Sequence, residues 1–190
     1  MRPHTLLKTS ALLILLSAAF APDLAKAQVQ YELRAMHSDK CAHVQAASQD
    51  NGGRISQWTC NANQNDRLDT TRRDFFKWRK INVRGEWFKL QAVHSNKCAQ
   101  VNRASHENGA AITQWDCVNQ RNVYWKQTSA ENGSYYIINE ASGKCMHVNG
   151  GGNENGALIT QWECVNQPNV KWKVSGATRL KEPVGIPARP

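Results

Sequence analysis

Apolar positions in this chain come in short bursts. Runs such as "YYIINE", "KCMHV", "LITQWEC" and "VKWKV" are rich in β-branched and aromatic residues and are separated by Gly, Asn and Ser. Short runs of that composition between turn-forming residues predict strands. No stretch shows a sustained helical period. The pattern therefore predicts an all-β protein.

The bursts also recur. "NGALITQWECVNQPNVKWK", Asn155 to Lys173, differs at four positions from "NGAAITQWDCVNQRNVYWK", Asn108 to Lys126, which lies 47 residues upstream. A fainter third copy, "NGGRISQWTC", starts at Asn51. Around each copy the landmarks keep their order. An aromatic (Tyr31, Phe88, Tyr135) stands ten residues before a Cys in "DKCAHV", "NKCAQV" or "GKCMHV". An Asn-Gly turn, a Gln-Trp pair, a second Cys and a further Trp (Trp78, Trp125, Trp172) follow. A period near 47 residues signals an internally symmetric fold, and only three copies argue against an open array. Four strands in each of three units predict a closed barrel of about a dozen strands with pseudo-threefold symmetry.

The repeats are expected at about 28–83, 84–130 and 131–174. The first carries ten extra residues between Cys60 and Trp78, in "NANQNDRLDTTRRDFF", polar enough for a surface loop. Residues 175–190 hold three prolines and no periodicity, and are expected to form a flexible tail.

The ends of the chain change the picture. Arg2 and Lys8 precede the apolar run "ALLILLSAAF", and Ala25-Lys26-Ala27 offers a small-x-small cleavage pattern. Residues 1–27 therefore read as a secretory signal peptide cleaved near Ala27, leaving an extracellular or periplasmic chain. The run is short for a membrane span, so the mature chain is expected to have no transmembrane segment.

All six cysteines fall in the exported part, and each successive pair is 19 positions apart. In an exported chain this reads as three local disulfides, Cys41–Cys60, Cys98–Cys117 and Cys145–Cys164, although spacing alone leaves the connectivity open. The tight Cys clusters of a zinc site are absent, and one His per repeat makes no metal cluster. The formal charge is +9, or +7 without Arg2, Lys8, Lys26 and Asp23. Its basic residues are scattered, which fits a solvated surface and disfavours nucleic acid as the partner.

Cys, Asn-Gly, Trp-x-Cys, Asn and Trp, in that order and in triplicate, resemble the ricin-type β-trefoil lectins, from about Tyr31 to Val174. The resemblance implies a β-trefoil that binds sugars in shallow, repeat-related pockets, with no catalytic residues and no cofactor. Carried over by position, it assigns the stacking aromatic to Trp58, Trp115 and Trp162, and a polar group that bonds sugar hydroxyls to Asn122 and Asn169. Phe75 stands at that position in the first repeat, so the first pocket is expected to be altered. The acceptor two residues after the first Cys, usually Asp in galactose binders, is here His43, Gln100 and His147. That departure removes an ionised acceptor from all three pockets and leaves the preferred sugar open.

Simpler readings compete at several positions. Trp58, Trp115 and Trp162 could instead be buried core aromatics, although each repeat already has a separate core Trp. Gln57, Gln114 and Gln161, beside those Trp residues on a strand, should point to the opposite face. Asn51, Asn108 and Asn155 are explained by turn chemistry. No triad, paired-carboxylate or phosphate-loop pattern recurs, which argues against an enzyme. The function expected is a secreted lectin with glycans or glycoconjugates as partners. The alternatives are a receptor-docking subunit beside a catalytic toxin chain, and a polyanion- or protein-binding trefoil.

Overall fold

A computed structural model describes residues 29–60 and 74–176. The expected leader, residues 61–73 of the expected loop and the chain beyond Gly176 lie outside the described residues. The first repeat comprises β1 (Gln30–Ala35), β2 (Cys41–Val44), β3 (Ile55–Trp58) and β4 (Trp78–Arg84). β5 (Trp87–Ala92), β6 (Cys98–Val101), β7 (Ile112–Trp115) and β8 (Tyr124–Ser129) make the second. The third contains β9 (Tyr135–Asn139), β10 (Cys145–Val148), β11 (Ile159–Trp162) and β12 (Trp172–Gly176). β4 thus runs one residue past the boundary drawn at 83/84. Ser175 and Gly176, assigned by sequence to the tail, pair with Glu32 and Tyr31 of β1.

Antiparallel pairing runs β1–β4–β5–β8–β9–β12 and returns to β1, which closes a six-stranded barrel. The remaining strands form three hairpins, β2–β3, β6–β7 and β10–β11. Single bridges Arg54–Thr113, Ser56–Leu158 and Ala111–Thr160 tie the hairpins to one another. The protein is a β-trefoil.

Register explains two of the sequence landmarks. In each unit the early aromatic lies directly across from the last Trp: Tyr31 from Trp78, Phe88 from Trp125, and Tyr135 from Trp172. These three indoles are buried in the common core, and each N–H donates to the carbonyl after the first Cys, at Ala42, Ala99 or Met146 (2.9–3.1 Å). A buried Trp needs such a partner for its one polar atom. Around them pack symmetry-related triplets, Leu33/Leu90/Ile137, Val44/Val101/Val148 and Ile55/Ile112/Ile159. The disulfides join Cys41 to Cys60, Cys98 to Cys117 and Cys145 to Cys164, one in each repeat.

The hairpins are locked together by the glutamines beside the exposed tryptophans. Gln57, Gln114 and Gln161 are fully buried on the face away from their Trp neighbours. Each amide nitrogen donates to two turn carbonyls of another repeat. Gln57 reaches Gly152 and Glu154 (2.7 and 3.1 Å), Gln114 reaches Ser48 and Asp50 (2.8 and 2.8 Å), and Gln161 reaches Ser105 and Glu107 (2.8 and 2.9 Å). Each amide oxygen accepts from a Ser hydroxyl of its own repeat, at Ser38, Ser95 or Ser142. The first repeat thus holds the third, the second holds the first, and the third holds the second.

Leucine at Gln114 would remove three hydrogen bonds, to the Ser48 and Asp50 carbonyls and from the Ser95 hydroxyl, although His94 and the Gly53 N–H still serve the two carbonyls. Each hydrogen bond lost costs about 1 kcal/mol net. Gln114→Leu is expected to lower unfolding free energy by about 3 kcal/mol in a denaturant titration with the disulfides intact.

Candidate functional site

The site residues are placed by the hairpins. Cys and Trp are cross-strand partners in every copy (Cys41–Trp58, Cys98–Trp115, Cys145–Trp162). Two residues further from each, His43 faces Ser56, Gln100 faces Thr113 and His147 faces Thr160. Alternation along a strand puts all four side chains on one face. The Asn position lies on a short 3₁₀ turn before the final strand, at Asn122 and Asn169.

Six tryptophans divide cleanly into two sets. Trp58, Trp115 and Trp162 are 45%, 40% and 39% exposed, whereas Trp78, Trp125 and Trp172 are at most 1% exposed. The first set is not core. An indole at the surface with imidazole, amide and hydroxyl groups beside it offers one apolar face and several polar contacts.

In the third repeat, Trp162, His147 and Asn169 line one cavity of about 530 Å³, together with Gly150, Gly151 and, from the first repeat, His37. The His147 ring lies 5.5 Å from that of Trp162, tilted by 32°. Its Nδ1 pairs with the Thr160 hydroxyl at 2.8 Å. Asn169 is steadied by Nδ2 donating to the Val148 carbonyl at 3.1 Å.

The second repeat brings the same positions together but ties them to each other. Asn122 Nδ2 donates to Gln100 Oε1 (3.0 Å) and to the Val101 carbonyl (3.1 Å), and both side chains are buried. Gln100 Nε2 reaches the Thr113 hydroxyl at 3.4 Å.

In the first repeat no Asn is available. His43 lies between Trp58 (5.8 Å) and Phe76 (5.5 Å), and its Nε2 pairs with the Ser56 hydroxyl. Phe75, at the Asn position, packs edge-to-face on His94 at 5.5 Å. Aromatic surface replaces the amide.

Loops next to the sites differ as well. Ala46-Ala47 and Arg103-Ala104 adopt left-handed backbone with φ between 50° and 53°, a conformation that strains non-glycine residues. The third repeat has Gly150-Gly151 there, at φ 61° and 65°. This relieves the strain and removes side chains beside Asn169, whose amide lies 3.7 Å from where a Gly151 Cβ would be.

The imidazoles two residues after the first Cys are held neutral. Burial lowers His43 and His147 to pKa values of about 4; the nearby His37 lowers His147 slightly further, and a backbone hydrogen bond at Val44 partly offsets the effect at His43. Burial also lowers His94. Among the described residues, no three His, Cys, Asp or Glu side chains gather as metal ligands.

Two contributors escaped the sequence reading. The hydroxyls Ser56, Thr113 and Thr160 had a legible signal, since each stands two residues before its Trp. His37 had none, because it comes from a different repeat.

Comparison with known proteins agrees with the architecture. The family described as ricin-type beta-trefoil lectin domain-like matches residues 74–162 and 127–183. No curated protein matches in sequence. Among solved structures, ThreeFoil, a designed threefold-symmetric protein, is 27% identical with a TM-score of 0.69, over 76% of this chain and 96% of its own. An exo-β-1,3-galactanase from Clostridium thermocellum, 1,3Gal43A, is 28% identical with a TM-score of 0.69; the match covers 82% of this chain and only 31% of the galactanase. The C-half of an earthworm R-type lectin in complex with GalNAc shares the fold at 13% identity, with a TM-score of 0.59 over 78% of this chain and 98% of its own. With the repeats, the closed barrel and the family match in agreement, the chain belongs to the ricin-type β-trefoil lectin domain-like family.

Proposed function

We propose that the protein is an exported, non-catalytic lectin that binds glycans by stacking a sugar ring on an exposed Trp and holding its hydroxyls with the adjacent polar groups. The observation that carries this reading is the exposure of Trp58, Trp115 and Trp162 at repeat-related positions, while each repeat buries a second Trp in the core. Core packing does not account for an indole about two-fifths exposed, and such a ring covers the C–H face of a pyranose well. The third repeat is the principal site, where Trp162, His147 and Asn169 share a cavity. The second is a lesser site at Trp115, since Gln100 and Asn122 are hydrogen-bonded to each other. The first, with Phe75 and Phe76 in place of an amide, contributes little hydrogen bonding. Carbohydrate-bound relatives such as the earthworm lectin with GalNAc support the ligand class.

A glycan array on the mature chain, followed by calorimetry, tests the proposal. Trp162→Ala is expected to weaken binding of the best glycan at least about tenfold, equivalent to about 1.4 kcal/mol, and Trp115→Ala to weaken it less. An empty array, or binding indifferent to both substitutions, would sink the reading.

The neutral imidazoles predict how binding depends on acidity. A His147 that titrates near 4 stays uncharged across the neutral range, so its own contribution to affinity should be constant there and fall as the pH drops through about 4. Stability follows the same group. Folding lowers its pKa from 6.5 to about 4, so the unfolded chain holds more protons between those values. Its contribution is complete above pH 6.5 and shrinks as the pH falls towards 4. The melting temperature should fall across that window, and His147→Gln should reduce the fall.

A further inference from the structure

The cavity beside Trp162 is not built from one repeat. His37, in the turn between β1 and β2, forms part of its wall although the other site residues come from β10, β11 and the turn before β12. Its Nε2 lies 2.9 Å from the Gly152 carbonyl, and its Nδ1 is shielded from solvent with no partner. A ring held in this way offers surface to a ligand more than hydrogen bonds. It is also fixed in advance, so little side-chain freedom is lost when a ligand arrives.

The anchor recurs at one other site, where His94 Nε2 lies 3.1 Å from the Ser48 carbonyl and Nδ1 again lacks a partner, but the ring's surroundings differ. The symmetry-related His94 is packed against Phe75 in the first site, and Ala141 stands at that position beside the second. The loop differs too, with Gly150-Gly151 in place of Ala46-Ala47 or Arg103-Ala104. A second ring and a bare glycine loop therefore meet at the third site. The cavity of about 530 Å³ lies within the usual ~300–1,000 Å³ of small-molecule pockets, which leaves room beyond the sugar on Trp162.

We propose that this cavity takes an oligosaccharide, with one sugar ring on Trp162 and the neighbouring ring against His37, so that a glycan bound at the third repeat spans the seam to the first. The inference rests on the carbohydrate-binding reading above and adds to it a residue and a ligand length. His37 is then a contact residue, anchored by the Gly152 carbonyl. That carbonyl also accepts from Gln57 at 2.7 Å, so the loop keeps an anchor when His37 is replaced.

The test uses the mature chain carrying Trp58→Ala and Trp115→Ala, which isolates the third site. Calorimetry compares galactose, N-acetylgalactosamine and glucose with their β-1,3- and β-1,4-linked disaccharides. At least one disaccharide is expected to bind about tenfold more tightly than its monosaccharide. His37→Ala should erase that advantage while leaving monosaccharide affinity within about twofold, which also shows that the site remains folded. His37→Gln keeps a donor for the Gly152 carbonyl but lacks the ring, and it should lose the advantage as well. A disaccharide advantage that survives either substitution, or no advantage before substitution, overturns the inference. If Trp162→Ala still abolishes binding in that case, the carbohydrate reading stands without it; if Trp162→Ala has no effect, the carbohydrate reading itself fails.

Discussion

Three buried glutamine amides hold this protein together across its seams. Gln57, Gln114 and Gln161 each supply both amide hydrogens to turn carbonyls of another repeat, and the three links form a closed circuit. Backbone bonds reinforce it: the N–H groups of Gly52, Gly109 and Gly156 donate to the carbonyls of Gln114, Gln161 and Gln57. The Asp50, Glu107 and Glu154 carbonyls also accept an N–H of their own turn, but the glutamine donors come only from another repeat. All three glutamine links are made only when three copies close the ring.

The same circuit positions the binding surface. Because side chains alternate on a strand, a Gln locked into the seam forces the following Trp outward. The Asn-Gly turn of the next lobe then lies alongside the indole: a Cβ on Gly109 would come within 3.9 Å of Trp162, and one on Gly156 within 4.0 Å of Trp58. Side chains of those turns reach across as well, with Asn51 bonded to Asp116 and Asn155 accepting from the Thr59 backbone and hydroxyl. Stability and exposure of the Trp are therefore one design. The residue that closes the fold also sets the direction of its neighbour.

On this shared frame the three sites have diverged through few changes. Phe75 in place of Asn turns the first towards aromatic packing. In the second, Gln100 and Asn122 use up part of each other's hydrogen-bonding capacity. The third gains room from two glycines that take up a left-handed backbone without strain, and a wall from His37. An imidazole or amide two residues after the first Cys leaves that position uncharged in all three, so each site offers shape and hydrogen bonding there rather than charge.

The residues alone determined a good deal. Short β-branched runs, Asn-Gly turns and equal Cys spacing specify strands, hairpins and threefold repetition, because each of these depends on local periodicity repeated in step, whereas the exposure of Trp162 against the burial of Trp172 was decided by the fold. The candidate trio Trp162, His147 and Asn169 came from the family resemblance, carried over position by position within one 47-residue unit. Other features were settled only by the tertiary structure. The role of Gln57, Gln114 and Gln161 as ties, the burial that leaves His147 uncharged, the mutual locking of Gln100 and Asn122, and the arrival of His37 at a cavity 110 residues from its place in the chain all depend on contacts between segments far apart in sequence. A repeat spells out its own strands, whereas the chemistry at its edges is written by whichever repeat closes against it.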